Sequence, residues 1–272
     1  MGGVIRFIIA IGIALVSLVT YCFRTEKNPV TGEKQRVNMT VEQEIALGLQ
    51  AAPKMAQQHG GLHPDQKLQD YVDRVGNKVL QGATGGNTPY KFDFHVLADP
   101  QTVNAFALPG GQVFITVALL RQLKNEDQVA GVLGHEIGHV INRHGAEHMA
   151  KQRLTQGLTG AAVIASYDPR RPATMRTAAV AALIGSMINM RFGRQDELES
   201  DRVGVAYMAE SGYNPEALIG VMEVLAASGG NGRRPEFFST HPNPSNRIAN
   251  IRKAIDEYAP AYANKGDGDN NF

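Results

Sequence analysis

Hydrophobic positions change rhythm several times along this chain, and each rhythm predicts a different element. Phe7 to Phe23 (FIIAIGIALVSLVTYCF) is a run of 17 residues without a charge. Residues 24–39 are polar, hold Pro29 and Gly32, and read as a linker. From Thr40 the pattern turns helical. Thr40-x-x-Gln43 forms a capping box, and Ile45, Leu49, Ala52 and Met55 follow at helical spacing. A second helix is predicted from about Pro64, with Leu68, Val72, Val75 and Val79 on one face, and Gly82 to Asn87 reads as a loop. Lys91 to Val96 alternates, with Phe92, Phe94 and Val96 on one side, which predicts a half-buried strand. The Gly110-Gly111 turn leads into a second strand, Gln112, Val113, Phe114, Ile115 and Thr116. Its β-branched and aromatic run directly after a turn predicts an edge strand beside a cleft, able to pair with a substrate backbone. Everything later is helical in rhythm. Asn125 caps a helix striped with Val129, Val132, Leu133, Ile137, Val140 and Ile141, and Gln128 is placed to complete a capping box. Residues 154–166 and 173–190, small and mildly apolar around Asp168-Pro-Arg-Arg-Pro172, read as a helical hairpin. The fold class is α+β, a small sheet beside a helical body. The domain reading is an anchor or signal at 1–23, a linker at 24–39, one domain over 40–260 and a disordered tail at 261–272.

The N-terminal run would span about 25 Å as a helix, just short of a bilayer's hydrocarbon core. Arg6 and the amino terminus give it a thin positive start. An uncleaved anchor and a processed signal sequence both fit. The residues VTYCF hold no A-x-A cleavage site, and Tyr21 is not the small residue a lipoprotein signal wants before Cys22.

Composition then narrows the function. Lys and Arg number 27 against 26 for Asp and Glu, a net charge of +1, so nothing points to a nucleic-acid partner. One cysteine excludes an intrachain disulfide and a Cys-rich metal site.

The candidate chemistry sits in the helix after Asn125, as His135-Glu136-Ile137-Gly138-His139. Histidines four apart lie about 40° apart around a helix, so both can grip one ion, and Glu136 beside them can take a proton from a water on zinc. A third ligand is expected in Glu197-Leu-Glu199-Ser-Asp201. Glu197 and Asp201 share a face, whereas Glu199 points about 160° away. Glu197 can therefore ligate while Asp201 orients a histidine through its free ring nitrogen. His144, nine residues from His135, lies about 180° round the wheel and cannot join if the helix stays regular. His148 is also off-face, and His59, His63 and His95 read as surface or packing residues. His241, on a Pro-bounded loop, can fold back over the site.

These residues resemble a known family. His135–His139, Glu197-x-x-x-Asp201, Asn104-Ala-Phe-Ala-Leu-Pro-Gly-Gly111 and Thr240-His241-Pro242 with Arg247-Ile248 match in order and spacing. The family is the zinc metallopeptidases of the HtpX and CAAX prenyl protease type, nearest their bacterial periplasmic BepA- and LoiP-like branch. The resemblance covers roughly Thr40 to Tyr258. It implies a gluzincin-type domain, one zinc ion held by His135, His139 and Glu197, and Glu136 as the catalytic residue. His241 is expected to act in catalysis as an oxyanion donor, or else as an inhibitory fourth ligand, and Arg247 to stand with Asp201 behind the ligands. Longer members add C-terminal helical repeats, and this chain ends at 272.

The expected function is hydrolysis of peptide bonds in unfolded or misassembled cell-envelope proteins. The chain would be anchored in the membrane by residues 7–23, with its catalytic domain in the periplasm. A chaperone that holds unfolded segments with little cleavage is the alternative. A deformylase would need a cysteine ligand, and Cys22 lies in the N-terminal run.

Overall fold

The structure is a computed structural model that describes residues 3–85, 87–166, 191–228, 235–243 and 245–266, without the side chains at 3, 6, 159–166 and 264–266. The chain divides into two compact units, Met1–Thr40 with Gly145–Met190, and Val41–His144 with Arg191–Phe272.

In the first unit, α1 (Gly3–Phe23) carries the apolar run, and its Ser17 lies against Gly157 of a later helix. The segment expected as a plain linker holds a small antiparallel ladder, β1 (Glu26–Lys27) against β2 (Lys34–Gln35). The buried Asn28 side chain closes it, accepting from the amides of Val30 and Thr31 and donating to Gln35. Among the described residues no helix is long and apolar enough to cross a membrane. Of the helical hairpin expected over 154–190, the first arm is helical and the arm at 173–190 lies outside the described residues.

The second unit begins with α2 (Val41–Gln58) and α3 (Gln66–Thr84). Asp65 caps α3 by accepting from the Lys67 amide, and Gly85 ends it in the left-handed conformation. The helix thus takes in Gly82 to Thr84, which the glycine content had suggested as loop. Gly82 is there for contact, since a Cβ on it would fall 2.1 Å from Ser211 Oγ. The sheet follows: β3 (Asp93–Leu97), β4 (Ala105–Ala107) and β5 (Gln112–Thr116), in the order β3-β5-β4.

This order corrects the expectation for Gln112, Val113, Phe114, Ile115 and Thr116. They form the central strand, parallel to β3 on one side and antiparallel to β4 on the other. All five are buried, so they present no free edge to a substrate. Val113-Phe114-Ile115 is apolar on both faces, the signature of a strand covered all round rather than of a half-exposed edge. The edge is taken by Asn104-Ala-Phe-Ala-Leu108, which the sequence presented only as the approach to the Gly-Gly turn.

After the sheet come α4 (Val117–Leu120), α5 (Glu126–Ile141), α6 (His144–Ser166, which belongs to the first unit from Gly145 onward), α7 (Arg194–Glu210), α8 (Ala217–Ala227), α9 (Phe237–Thr240) and α10 (Arg247–Gly266). Asn125 caps α5 by accepting from the Gln128 amide, while the Gln128 side chain accepts from Lys124 rather than closing the box on Asn125. From Gln128 to Ile141 every residue of α5 is buried, because α3, α7, α8 and β4 all pack on it. α10 continues to Gly266, so 261–266 is helical and not part of a disordered tail.

Candidate active site

Two helices place the candidate residues, and glycine sets how closely they cross. A Cβ on Gly204 of α7 would stand 3.2 Å from the His135 nitrogen, and one on Gly138 of α5 would stand 3.2 Å from Ser200 Cα. Backbone thus meets backbone at the crossing, and side chains four apart on each helix converge beside it. His135 and His139 project from α5 toward Glu197 and Asp201 of α7, and all four are 2% exposed or less.

The inward-facing atoms form a tight set. Nε2 of His135 and Nε2 of His139 are 3.1 Å apart. His241 Nδ1 lies 3.3 Å from His135 Nε2 and 3.1 Å from Glu197 Oε1, which is 3.4 Å from His139 Nε2. One donor atom from each of His135, His139, Glu197 and His241 falls within 4.8 Å of all the others, and the four could hold a metal ion.

Proton accounting tests that fit. His135 Nδ1 sits 2.9 Å from Asp201 Oδ1, and since a carboxylate only accepts, Nδ1 carries the proton. Burial pushes His139 well below the usual histidine range and keeps it neutral, with one proton to place. If both rings are protonated at Nδ1, two Nε2 lone pairs face each other across 3.1 Å. A shared cation resolves that repulsion. For ligand bonds of about 2.0–2.2 Å, tetrahedral donors stand about 3.3–3.6 Å apart, close to the spacings here. Glu197 Oε2 and His241 Nε2 are also buried without a hydrogen bond among the described residues. The donor set therefore fits a metal.

The residues behind the donors are ordered by charge. Arg247, 1% exposed, donates to both oxygens of Asp201 at 2.6 and 2.9 Å, and its Nη1 is 3.1 Å from Glu197 Oε2. Burial opposes ionisation of Asp201, but Arg247 and His135 outweigh it and hold its pKa below the ordinary value. Burial likewise works against the Glu197 carboxylate, and His241 and His139 reverse that, leaving it well below the usual range.

Glu136 stands apart. It is fully buried, neither oxygen accepts a hydrogen bond among the described residues, and burial raises its pKa despite nearby His241 and His135. His241 Nε2 is 3.5 Å from Glu136 Oε1. Burial disfavours the charged His241 ring, but Glu197 and Glu136 together raise its pKa. Phe237 stacks on His241 with ring centroids 4.3 Å apart. The segment holding it is fixed by two backbone bonds, Phe237 N–H to Val103 at the start of β4, and Phe192 N–H to Thr240.

The structure thus brings together His135, Glu136, His139, Glu197, Asp201, His241 and Arg247, and leaves β5 in the sheet interior. It adds two residues that sequence reasoning missed. Phe192 stacks on His139 with centroids 3.9 Å apart, and no sequence signal marks it. His144, expected on the far side of the helix, is buried with its Nδ1 3.0 Å from His139 Nδ1. The helix does not stay regular: α5 ends at Ile141, and Arg143 takes a positive φ of 56°.

Comparison with known proteins follows from this site. Residues 66–255 match the profile of Peptidase family M48. The chain is 33% identical over 207 residues to the beta-barrel assembly-enhancing protease of Escherichia coli K12, covering 72% of this chain and 40% of the relative. The protein of that name from Yersinia pestis is 31% identical over 238 residues, 85% of this chain and 48% of the relative. The mitochondrial metalloendopeptidase OMA1 of Schizosaccharomyces pombe is 30% identical over 245 residues, 88% of this chain and 69% of the relative. The chain therefore spans under half the length of the bacterial relatives described here.

Proposed function

This chain belongs to peptidase family M48, and from that premise we propose that it is a zinc-dependent endopeptidase acting on unfolded or misassembled proteins of the bacterial cell envelope. The observation that carries the reading is a set of buried donors converging beside a carboxylate that has no other use. Three imidazole nitrogens and a carboxylate oxygen suit zinc, with His135, His139 and Glu197 as its permanent ligands. Zinc supplies Lewis acidity, polarising a peptide carbonyl and acidifying water.

The chain's own residues do the rest. Glu136 takes a proton from the attacking water and returns it to the leaving amine. Asp201 fixes the proton of His135 on Nδ1, and Arg247 fixes Asp201. His241 occupies the position of a fourth donor in this closed arrangement. With a substrate carbonyl in that place, His241 would be the ring to donate to its developing negative charge. Glu136, buried and without a hydrogen bond to either oxygen among the described residues, favours an enzyme over a chaperone, since holding an unfolded segment has no need of a buried base.

Substrate binding passes from β5 to β4. In the antiparallel register Asn104, Phe106 and Leu108 bond toward β5, which turns the amides and carbonyls of Ala105 and Ala107 away from it; Ala105 is fully buried and Ala107 is partly exposed. Among the described residues nothing bonds to them. An extended peptide pairing there gains affinity from backbone alone, which suits unfolded substrates of varied sequence.

The envelope assignment rests on the names of the bacterial relatives and on α1. Val4, Phe7, Ile8, Ile11, Leu15, Val16 and Val19 are all exposed and fall on one half of that helix, opposite the buried Ala10 and the Ser17 that lies against Gly157. An exposed apolar face of that breadth is suited to lipid, and residues 7–23 are proposed to anchor the chain without a full span.

The test is cleavage of casein by the full chain in detergent, compared with Glu136→Gln. Wild type should cleave in a zinc-dependent way, and the variant should lose cleavage while binding one zinc per chain. Absence of zinc-dependent cleavage by wild type overturns the function, and loss of zinc with the substitution overturns the role of Glu136.

A further inference from the structure

His139 has the same need as His135 for a partner at its outer nitrogen, and the structure gives it a different kind. His135 uses a carboxylate, Asp201, at 2.9 Å. His139 Nδ1 meets His144 Nδ1 at 3.0 Å, with the rings edge-on at an interplanar angle of 74°. His144 is 2% exposed, and its Nε2 lies 3.4 Å from Oε2 of Glu199, whose side chain is 46% exposed. Ser200 Oγ stands 3.4 Å from the same His144 Nδ1.

The protons in this chain can run only one way when His139 binds a metal through Nε2. A neutral ring has one proton, so Nδ1 of His139 must donate. His144 Nδ1 then accepts, which leaves its proton on Nε2, facing Glu199. The carboxylate can only accept, so it closes the series. Each bond fixes the tautomer of the next ring inward, and a negative charge at the outer end raises the basicity of the inner nitrogen.

The backbone is built to make this contact. On a continuous helix, His144 would point away from His135 by about 180°. The left-handed turn at Arg143 resets the phase, and a bulky side chain is costly in that conformation. Arg143 is held there with its guanidinium buried, donating from Nε to Glu44 of α2 at 2.8 Å. On the opposite side, Phe192 stacks on His139. The ring of His139 is thus gripped at one face by Phe192 and at its outer edge by His144.

We propose that His144 is a positioning residue for the metal ligand His139, and that Glu199 acts through it as the terminal acceptor. The site then has two orienting arms of unequal kind: a direct, buried carboxylate for His135, and a histidine relay ending at a half-exposed carboxylate for His139. This rests on the metal-site reading above. Glu199, excluded as a ligand by its helix face, enters the site one residue removed.

The test is zinc affinity of the full chain in detergent, measured by chelator competition, with melting of the zinc-free protein as the control for folding. His144→Phe keeps an aromatic ring but cannot accept a hydrogen bond, and it should weaken zinc about 10–100-fold. His144→Asn offers an amide oxygen near the lost Nδ1 and should recover most of that loss. Glu199→Ala, at a half-exposed position that leaves the fold intact, should weaken zinc several-fold, and Glu199→Gln less. The two effects should not add: in the His144→Asn background, Glu199→Ala should change nothing. Cobalt(II) spectra should shift in the His144 variants and stay unshifted in Arg202→Ala, a neighbour that faces Glu257 instead. Unchanged zinc affinity in Glu199→Ala, or in a His144→Phe that melts like wild type, overturns the proposal. A wild-type chain that binds no zinc overturns the metal reading itself, and the two failures are distinct.

Discussion

Arg247 and Asp201 show how far a single buried pair reaches: their bidentate bond sets the proton on His135, and the same guanidinium lies 3.1 Å from Glu197. His241 meets the set from a turn instead of a helix. Its two suggested roles predict opposite outcomes for His241→Ala. An inhibitory ligand would be relieved and basal cleavage would rise; an oxyanion donor would be lost and kcat would fall. The contact to Glu136 at 3.5 Å favours the second, and we expect kcat to drop about 100-fold with zinc stoichiometry kept. Steady-state kinetics equal to wild type would remove His241 from the chemistry. The contrast with the helical residues explains what the sequence could convey. His135, His139, Glu197 and Asp201 were legible because 100° per residue holds over one helical turn whatever surrounds it. His144 was not, because the same rule was carried across a boundary that only the conformation of Arg143 reveals. His241 was legible as a candidate only, since a loop has no fixed phase.

At the scale of elements, two close contacts decide function. The α5–α7 crossing depends on Gly204, and Gly204→Ala poses a test in which two effects disagree in sign. Alanine improves an isolated helix by about 1 kcal/mol, but here its Cβ would press on backbone at His135, 3.2 Å away. We expect the crossing to lose: lower melting temperature and zinc affinity weakened several-fold. A higher melting temperature with zinc unchanged would show that the helices have room. The second is the edge of β4 proposed to dock substrate, where Ala107 is the partly exposed residue. Ala107→Pro removes an outward amide while the bonds toward β5 remain, the one place in a sheet where proline is tolerated. Cleavage of peptides should show a raised KM with zinc content unchanged, and an unaltered KM would exclude β4 as the docking edge. The sheet was only half legible for a physical reason. Short strands carry few residues to establish a period, and Ala105-Phe-Ala107 resembles a turn approach as much as a strand. Which strand lies in the middle depends on pairings that no local pattern records. The capping of α5 by Asn125, by contrast, is local chemistry and was readable.

For the whole molecule the balance of charge is uninformative, +1 overall, and the partition of apolar surface says more. The second unit buries most of its large apolar side chains, Leu49, Leu62 and Ile248 excepted, whereas α1 leaves Val4, Phe7, Val16 and Phe23 more than 60% exposed. Burying a side chain of that size is worth about 1.5–3 kcal/mol, so the several exposed on α1 together favour an apolar phase strongly over water. The charge-free run of 17 residues gives about 25 Å of helix, short of a full span, so the proposed anchoring requires a thinned bilayer or flanking side chains that reach to the interface. Arg6 before the run favours an N-terminus left inside, while Arg24 and Lys27 after it weaken that bias. Two measurements follow. The full chain should sediment with membranes and resist extraction by high salt, because the attachment is apolar and salt screens only charge. Removing residues 1–23 should shift the protein to the soluble fraction. Added protease should then degrade the catalytic domain of the full chain in spheroplasts without lysis, as expected of a periplasmic domain. Release of the full chain by salt alone would mean that α1 does not anchor it, and protection from protease in intact spheroplasts would put the domain on the cytoplasmic side.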